Sequence, residues 1–413
     1  MLTLHPAKKQ TTVNTPRIGL AIAGGGPVGA IYELGALRAV DEAIRGLRLH
    51  DLDIYVGVSA GAFIAASLAN DITTADMCRI FTGHNHAEYL FEPEKLLKPA
   101  YREYLQRARQ VPGVVTDSLI DIVKHPLNAS VARLMGSLGQ AIPSGIFDNE
   151  AINRFLMGVF ESSGRSNDFA DLKKKLYIVA VDLDTGAAVR FGGDDHRDIS
   201  ISRAVQASAA LPGMYPPVKI GDQYYVDGAL RRTMHASVAL DEGVDLLLGI
   251  NPLVPYDSSS QLDDNPHIPI KKLIQGGLPL ILSQTFRALI QSRMNVAFRK
   301  YRETHPETDL MLVEPNRGDE EIFFTNIFSF ASRNALCDHA YRLTRMDLLR
   351  RADELDETLA RHGLSLDREL LQQHSRSLQD SLNAEWSGHS KVGRNLSRIL
   401  DDLEWELDRL AVG

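Results

Sequence analysis

The sequence predicts an α/β fold on a mainly parallel central sheet, with a helical insertion and a helical C-terminal region, and three observations predict it. Ile18-Gly19-Leu20-Ala21-Ile22-Ala23 is a short unbroken apolar run, the pattern of a strand buried on both faces. It leads through a glycine cluster into a segment with apolar residues at helical spacing, and then into a second apolar strand, Ile54-Tyr55-Val56. Strand, helix and strand in that order imply a parallel pair with a crossover helix. Further apolar runs at 177–181, 245–251 and 309–314 supply more strands for the same sheet.

Composition narrows the class. At 413 residues, 44% hydrophobic and 24% charged, the chain can bury a large core and is neither disordered nor collagen-like in profile. Its 45 Lys and Arg against 53 Asp and Glu leave a net charge of −8, which speaks against a nucleic-acid partner. Cys78 and Cys337 are too few for a disulfide scaffold and lack metal-ligand spacing, so neither a metal nor a cofactor is expected. Residues 1–17 are polar without the apolar centre of a signal peptide. No run reaches the roughly 18 apolar residues of a membrane helix. A cytoplasmic protein, with any membrane contact peripheral, is the expectation.

Taken in order, residues 1–17 read as a flexible arm. The helix after the first strand carries Ile31, Leu34, Leu37, Val40, Ile44 and Leu47 at three- and four-residue spacing. Residues 62–69, small and helix-compatible, follow the second strand. Residues 71–150 show no clear strand and read as a helical insertion. Its apolar stripe (Val131, Leu134, Met135, Leu138, Ile142) is expected to pack inward rather than to form a membrane-facing or acyl-binding lid. A strand at 177–181 turns through Asp184-Thr185-Gly186 into a partner at 187–191. A helix over 201–210 stops at Leu211-Pro212-Gly213, and a short strand at 223–226 ends at Asp227-Gly228-Ala229. The Pro-, Asp- and Ser-rich loop at 254–269 is the best candidate boundary. An amphipathic helix over 280–298, a last strand at 309–315 and a helical pattern from 323 onward complete the chain.

The chemistry centres on Gly57-Val58-Ser59-Ala60-Gly61, which joins the second strand to a helix. A serine in such a strand-turn-helix is held in a strained backbone with its hydroxyl exposed at the sheet's edge, and flanking glycines avoid collisions with neighbouring elements. A serine hydroxyl needs a base, and a tetrahedral intermediate needs donors for its oxyanion. The loop Gly24-Gly25-Gly26-Pro27-Val28-Gly29 can present converging N–H groups at a helix N-terminus. It also matches a dinucleotide-binding fingerprint, but the second strand ends in the Ser59 turn and not in the acidic residue which that fingerprint requires. Asp227, at a strand end before Gly228, is the candidate base. His235 and His339 could be proposed for a triad, but each reads better as a surface or capping histidine.

These three motifs in this order resemble the patatin-like phospholipases. The glycine loop, the Gly-x-Ser-x-Gly turn and a downstream Asp-Gly-Ala correspond to Gly24 to Gly29, Gly57 to Gly61 and Asp227-Gly228-Ala229. Residues 207–213 and Pro216-Pro217 resemble the family segment before the aspartate, and the likeness spans roughly 18–255. The resemblance implies a three-layer α/β/α fold and a Ser-Asp dyad without histidine. In that dyad Ser59 is the nucleophile and Asp227 the base. The oxyanion hole is assigned to the loop of Gly24, Gly25, Gly26 and Gly29, with the amides of Gly25 and Gly26 as donors and Gly228 in support. The family often carries Arg or Lys where Val28 stands, so headgroup recognition through this loop is weakened.

The expected function is therefore a serine acyl hydrolase acting on lipid carboxylic esters. The alternatives are a soluble carboxylesterase without bilayer preference and a catalytically silent scaffold. The expected division is an arm at 1–17, a catalytic domain at 18–316 and a helical C-terminal region at 317–413. The expected partner is a lipid or acyl-ester substrate. The apolar segment from Leu278 to Leu282, continued by Phe286, Leu289 and Ile290, reads as dimer contact or core packing before membrane contact.

Overall fold

The computed structural model describes residues 2–8, 15–83, 98–101, 103–105, 109, 143–162, 164–193, 196–257, 273–324 and 330–387. Its strands are β1 (Leu2–His5), β2 (Ile18–Ile22), β3 (Ile44–Arg45), β4 (Ile54–Val58), β5 (Lys175–Asp182), β6 (Ala188–Phe191), β7 (Val218–Ile220), β8 (Gln223–Asp227), β9 (Leu246–Ile250), β10 (Asp309–Val313) and β11 (Ser365–Leu366). The helices that matter below are α1 (Gly26–Ala43), α2 (Ala60–Ala69), α3 (Thr74–Thr82), α4 (Glu150–Phe160), α5 (Ile201–Ser208), α6 (Gly277–Thr304) and α7 (Phe330–Arg350).

One nine-stranded sheet runs in the order β1, β10, β9, β2, β4, β5, β8, β7, with β6 on β5. The centre from β10 to β5 is parallel, and β1, β6, β7 and β8 are antiparallel additions. Alternation along each strand divides the core in two. Leu20, Ile22, Tyr55, Ile178, Leu248 and Met311 join the core beneath α1, α2 and α5. Ala21, Val56, Val58, Val179, Leu247 and Leu312 join a second core with Met294, Phe298 and Tyr301 of α6. Helices therefore cover both faces, as the three-layer α/β/α expectation holds. On one face α7 lies against α1 closely enough that a Cβ on Gly35 would come 2.2 Å from the Cys337 carbonyl.

The edges of β5 decide where the site falls. Ile178 and Val179 pair with Gly57 and Val58 of β4 on one edge and with Phe191 and Arg190 of β6 on the other. Ala180 pairs with Val189 of β6 and with Asp227 of β8. A strand residue has one neighbour per edge, so β4 and β8 share an edge of β5 and run toward each other. They meet where Val58 lies opposite Val179 and Asp227 opposite Ala180.

Several expectations change. Leu2–His5, read as part of a flexible arm, is an edge strand paired antiparallel to β10. Its four residues are too few for an alternation to stand out. The first helix ends at Ala43, and Ile44 instead pairs with Leu366 in a two-stranded ribbon. The insertion expected at 71–150 lies mostly outside the described residues, including its whole apolar stripe; within it, α3 and the start of α4 are helical. The loop expected to mark a boundary at 254–269 is described only to 257, and after it the chain returns through α6 to add β10 beside β9.

Candidate active site

Ser59 sits at the junction of β4 and α2 with φ 54° and ψ −122°, a conformation that costs an L-residue about 1–3 kcal/mol. Its surroundings hold it there. The Ser59 N–H donates to Ser208 Oγ at 2.8 Å, and the Ser208 hydroxyl donates to the Val179 carbonyl at 2.6 Å. The last residue of α5 thus ties the turn to β5. Gly61 packs so tightly that a Cβ would lie 2.4 Å from the Ala23 carbonyl oxygen, and one on Gly57 would lie 2.5 Å from Ala62 Cα. Both turn glycines are required by backbone, which cannot move aside as a side chain can.

The end-to-end approach of β4 and β8 brings the serine and the aspartate together. The Ser59 hydroxyl donates to Asp227 Oδ2 at 2.6 Å, across 168 residues of sequence. Oδ1 accepts from the Ala229 N–H at 2.8 Å, which fixes the plane of the carboxylate. Asp227 is 2% exposed. Burial raises its pKa to about 6, against the opposing hydrogen bonds from Ser59 and Ala229. Gly228 lets the chain turn away beside β5, where a Cβ would strike the Val179 carbonyl at 2.2 Å.

The glycine loop leaves the C-terminal end of β2, between β9 and β4, where successive connections depart in opposite directions and α/β sheets open a crevice. A Cβ on Gly24 would lie 2.9 Å from Ser59 Cβ, and one on Gly25 would lie 2.4 Å from Pro252 Cγ. The loop is therefore pressed between the serine and Pro252, two residues past the end of β9. Of the four glycines expected to form an oxyanion hole, two have their N–H groups engaged. Gly24 donates to the Thr233 carbonyl at 3.2 Å and Gly29 to the Gly25 carbonyl at 3.1 Å. No described residue accepts from Gly25 or Gly26, which lie at the start of α1 where N–H groups have no intrahelical partner. The N-termini of α1 and α2 converge on the serine, and both favour negative charge there.

A cavity of about 340 Å³ opens over these groups. Its walls are overwhelmingly apolar, including Val28, Phe63, Phe155, Leu211, Met214 and Phe286. Asp227 and Arg287 are the charged residues that line it. Arg287, from α6, donates to the carbonyls of Val254 at 3.3 Å and Pro252 at 3.4 Å, and its guanidinium lies 4.7 Å from the Phe323 ring centre. Burial lowers its pKa to about 10, which leaves it charged at neutral pH.

The histidines lie apart from this pair. His235, expected at the surface or as a cap, is 5% exposed, with Nε2 3.3 Å from the Gly228 carbonyl. Burial lowers its pKa to about 4, so it is neutral. Its short polar context hid the apolar neighbours Met234 and Ala236 that carry it inward. His339 bridges Asp319 at 2.7 Å and Glu321 at 3.2 Å; burial pulls its pKa down, but the Asp319 bond and the two charges outweigh this and raise it. Sequence reasoning missed Ser208, Thr233, Pro252 and Arg287. Only Ser208 left a trace, as the polar residue in the Ala207 to Ala210 run.

The profile of the family described as patatin-like phospholipase matches residues 20–240, just over half of the chain. An uncharacterized NTE family protein of Mycobacterium tuberculosis is 27% identical over 221 residues, covering 54% of this chain and 28% of that protein. A counterpart in Mycobacterium bovis matches to the same extent. The chain thus spans little more than a quarter of the length of these relatives. Among solved structures, VipD from Legionella pneumophila is similar at 14% identity and a TM-score of 0.35, over 87% of this chain and 82% of that one. The type III effector ExoU is similar at 17% identity and a TM-score of 0.30, over 84% and 65%.

Proposed function

The chain belongs to the patatin-like phospholipase family, and from that membership we propose that it is a serine acyl hydrolase that cleaves carboxylic esters of lipids through Ser59 and Asp227. The observation that carries the reading is the 2.6 Å bond from the Ser59 hydroxyl to a buried, otherwise fixed carboxylate. The apolar cavity supports an acyl chain as the part of the substrate that is buried.

In the proposed reaction Ser59 Oγ attacks the ester carbonyl carbon while its proton passes to Asp227 Oδ2. The carbonyl oxygen becomes an oxyanion that accepts from the Gly25 and Gly26 N–H groups, aided by the N-termini of α1 and α2. The intermediate collapses, the ester C–O bond breaks, and Asp227 returns the proton to the departing alcohol. Water then attacks the acyl-serine with Asp227 again taking the proton. The second collapse releases a fatty acid, and Asp227 gives its proton back to Ser59. A carboxylate with a pKa of about 6 suits both halves, being ionised at neutral pH yet far more basic than an exposed aspartate. No histidine takes part, and residues 18–316 are proposed as the catalytic unit.

Ser59→Ala tests the reading. The wild type is expected to label with a fluorophosphonate and to hydrolyse p-nitrophenyl butyrate and a short-chain phosphatidylcholine, and the variant to do none of these. A wild type that neither labels nor turns over any of these esters would instead mark a silent scaffold. Turnover of the monomeric ester alone would mark a soluble carboxylesterase.

A further inference from the structure

The two faces of α6 differ in a way that the proposed reaction does not use. One face belongs to the protein: Ile290, Met294, Phe298 and Tyr301 are buried in the core, and Ser283, Phe286 and Arg287 line the cavity above Ser59. The opposite face exposes large apolar side chains, with Thr285 and Ser292 among them. Leu278 is 67% exposed, Leu282 58%, Leu289 61% and Val296 56%, with Ile281 beside them. At 100° per residue these positions fall in one stripe, and at 1.5 Å per residue it is about 27 Å long. Such a stripe exceeds the scattered exposure of single apolar residues that soluble surfaces tolerate.

The charge on the same helix is one-sided. Residues 277–304 carry Arg287, Arg293, Arg299, Lys300 and Arg302 against a single acid, Glu303, in a chain whose net charge is −8. Arg299 and Lys300 are exposed and continue the face of the apolar stripe toward the C-terminal end, where Glu303 also lies; Arg293, exposed beside the stripe, donates to the Leu230 carbonyl at 3.1 Å. A second copy presenting this same face would bring further cations to the contact, whereas an anionic bilayer supplies both an apolar interior and a negatively charged surface.

We propose that the outer face of α6 is a docking surface for an anionic lipid bilayer. The apolar stripe enters the headgroup boundary, and Arg299 and Lys300 meet lipid phosphates. Because the inner face of the same helix is a wall of the cavity, docking holds the cavity and Ser59 about one helix diameter, roughly 10 Å, from the headgroup boundary. This rests on the lipid-hydrolase reading for its purpose, but the docking itself is a binding property that is measured separately.

The test is flotation of the full chain, carrying Ser59→Ala so that no lipid is consumed, with vesicles of phosphatidylcholine alone or of equal parts phosphatidylcholine and phosphatidylglycerol. Binding to the anionic vesicles is expected, with much weaker binding to the neutral ones. Leu282→Asp with Leu289→Asp is expected to weaken anionic binding at least about tenfold. Arg299→Glu with Lys300→Glu is expected to abolish the preference for anionic vesicles. In the Ser59 background both double variants should hydrolyse p-nitrophenyl butyrate at the unaltered rate. Failure of the parent to float with either vesicle, or equal flotation of parent and double variants, would overturn the proposal. So would a dimer, seen by light scattering, that the leucine substitutions convert to a monomer, since the stripe would then be a seam between copies. Flotation without ester hydrolysis by the Ser59 protein would leave the docking surface standing and remove the hydrolase reading.

Discussion

The junction of β4 with β8 and the helix α6 flank the same cavity, yet they are built on opposite terms. At the junction the polar groups of the serine and aspartate have their partners: the Ser59 N–H reaches Ser208, its hydroxyl reaches Asp227, and the second aspartate oxygen is held by Ala229. The turn glycines are forced by backbone atoms within 3 Å of any added Cβ. Along α6 one side is core and the other gives five large apolar side chains to solvent. The contrast teaches that preorganisation is concentrated at the junction, where strain and a buried charge are held in place by neighbouring groups, while the cavity's wall leaves a face of α6 open.

The largest expected effect is a break of the junction at its base. Asp227→Asn keeps an acceptor for the Ala229 N–H but cannot take a proton, and general-base loss of this kind costs about a thousandfold in kcat. His235→Ala and His339→Ala should stay within a fewfold of the wild type; a collapse in either, with Asp227→Asn active, would sink the two-residue reading. The wild-type kcat/KM should fall about tenfold per pH unit below about 6, as the carboxylate gains its proton. Stability carries the opposite sign. The raised pKa means that the folded state holds this proton more tightly than the unfolded chain, so the cost of the buried charge is absent below about pH 4, grows as pH rises through about 6 and is constant above. Urea unfolding of Asp227→Asn should therefore show a gain of about 3 kcal/mol at pH 7.5 that disappears by pH 4. No gain at pH 7.5 would mean that the carboxylate is not strained by its burial.

The junction was legible in part. Gly57, Ser59 and Gly61 stand within five residues because the strain of one turn is local, so the chemistry could be read from a short stretch. Asp227 was a candidate base from its place at a strand end before Gly228, but its pairing with Ser59 in a dyad needed the family resemblance, since nothing local says that β8 will run head-on into β4. That meeting is a property of register on β5, where residues 176–181 are apolar and distinguish no partner. Likewise the loop glycines announced an N–H cluster, but only the fold shows that Thr233 takes the Gly24 donor. The edge strand β1 was invisible at four residues. For α6 the helical period was plain and the buried side was not, because apolar residues on both faces give the pattern no single direction.

A smaller loss should follow at the brace. Ser208→Ala leaves the buried Ser59 N–H without its acceptor and the Val179 carbonyl without its donor. About 1–3 kcal/mol of stability should go, measured by urea unfolding at pH 7.5. Because the hydroxyl holds the turn and touches no substrate, kcat should drop while KM stays, as the serine loses its fixed direction toward Asp227. Restoration by Ser208→Thr, which keeps the hydroxyl, would separate bracing from simple packing. An unchanged urea midpoint would show that the turn is held by the glycine contacts and the Asp227 bond alone.

The smallest expected effect lies across the cavity. Leu282→Asp on the outer face of α6 removes no contact of the core, so unfolding free energy should shift by no more than about 0.5 kcal/mol. Met294→Ala on the inner face of the same helix, at 6% exposure, opens a cavity beneath the sheet and should cost about 2–5 kcal/mol. The pair turns the comparison into one measurement on one helix, with propensity and length held common. If Leu282→Asp costs as much as Met294→Ala, the outer face is covered by this protein in solution, and the bare stripe cannot be the surface that α6 offers to lipid. If the two differ as expected, the helix carries its core on one side and leaves its other side thermodynamically free to bind.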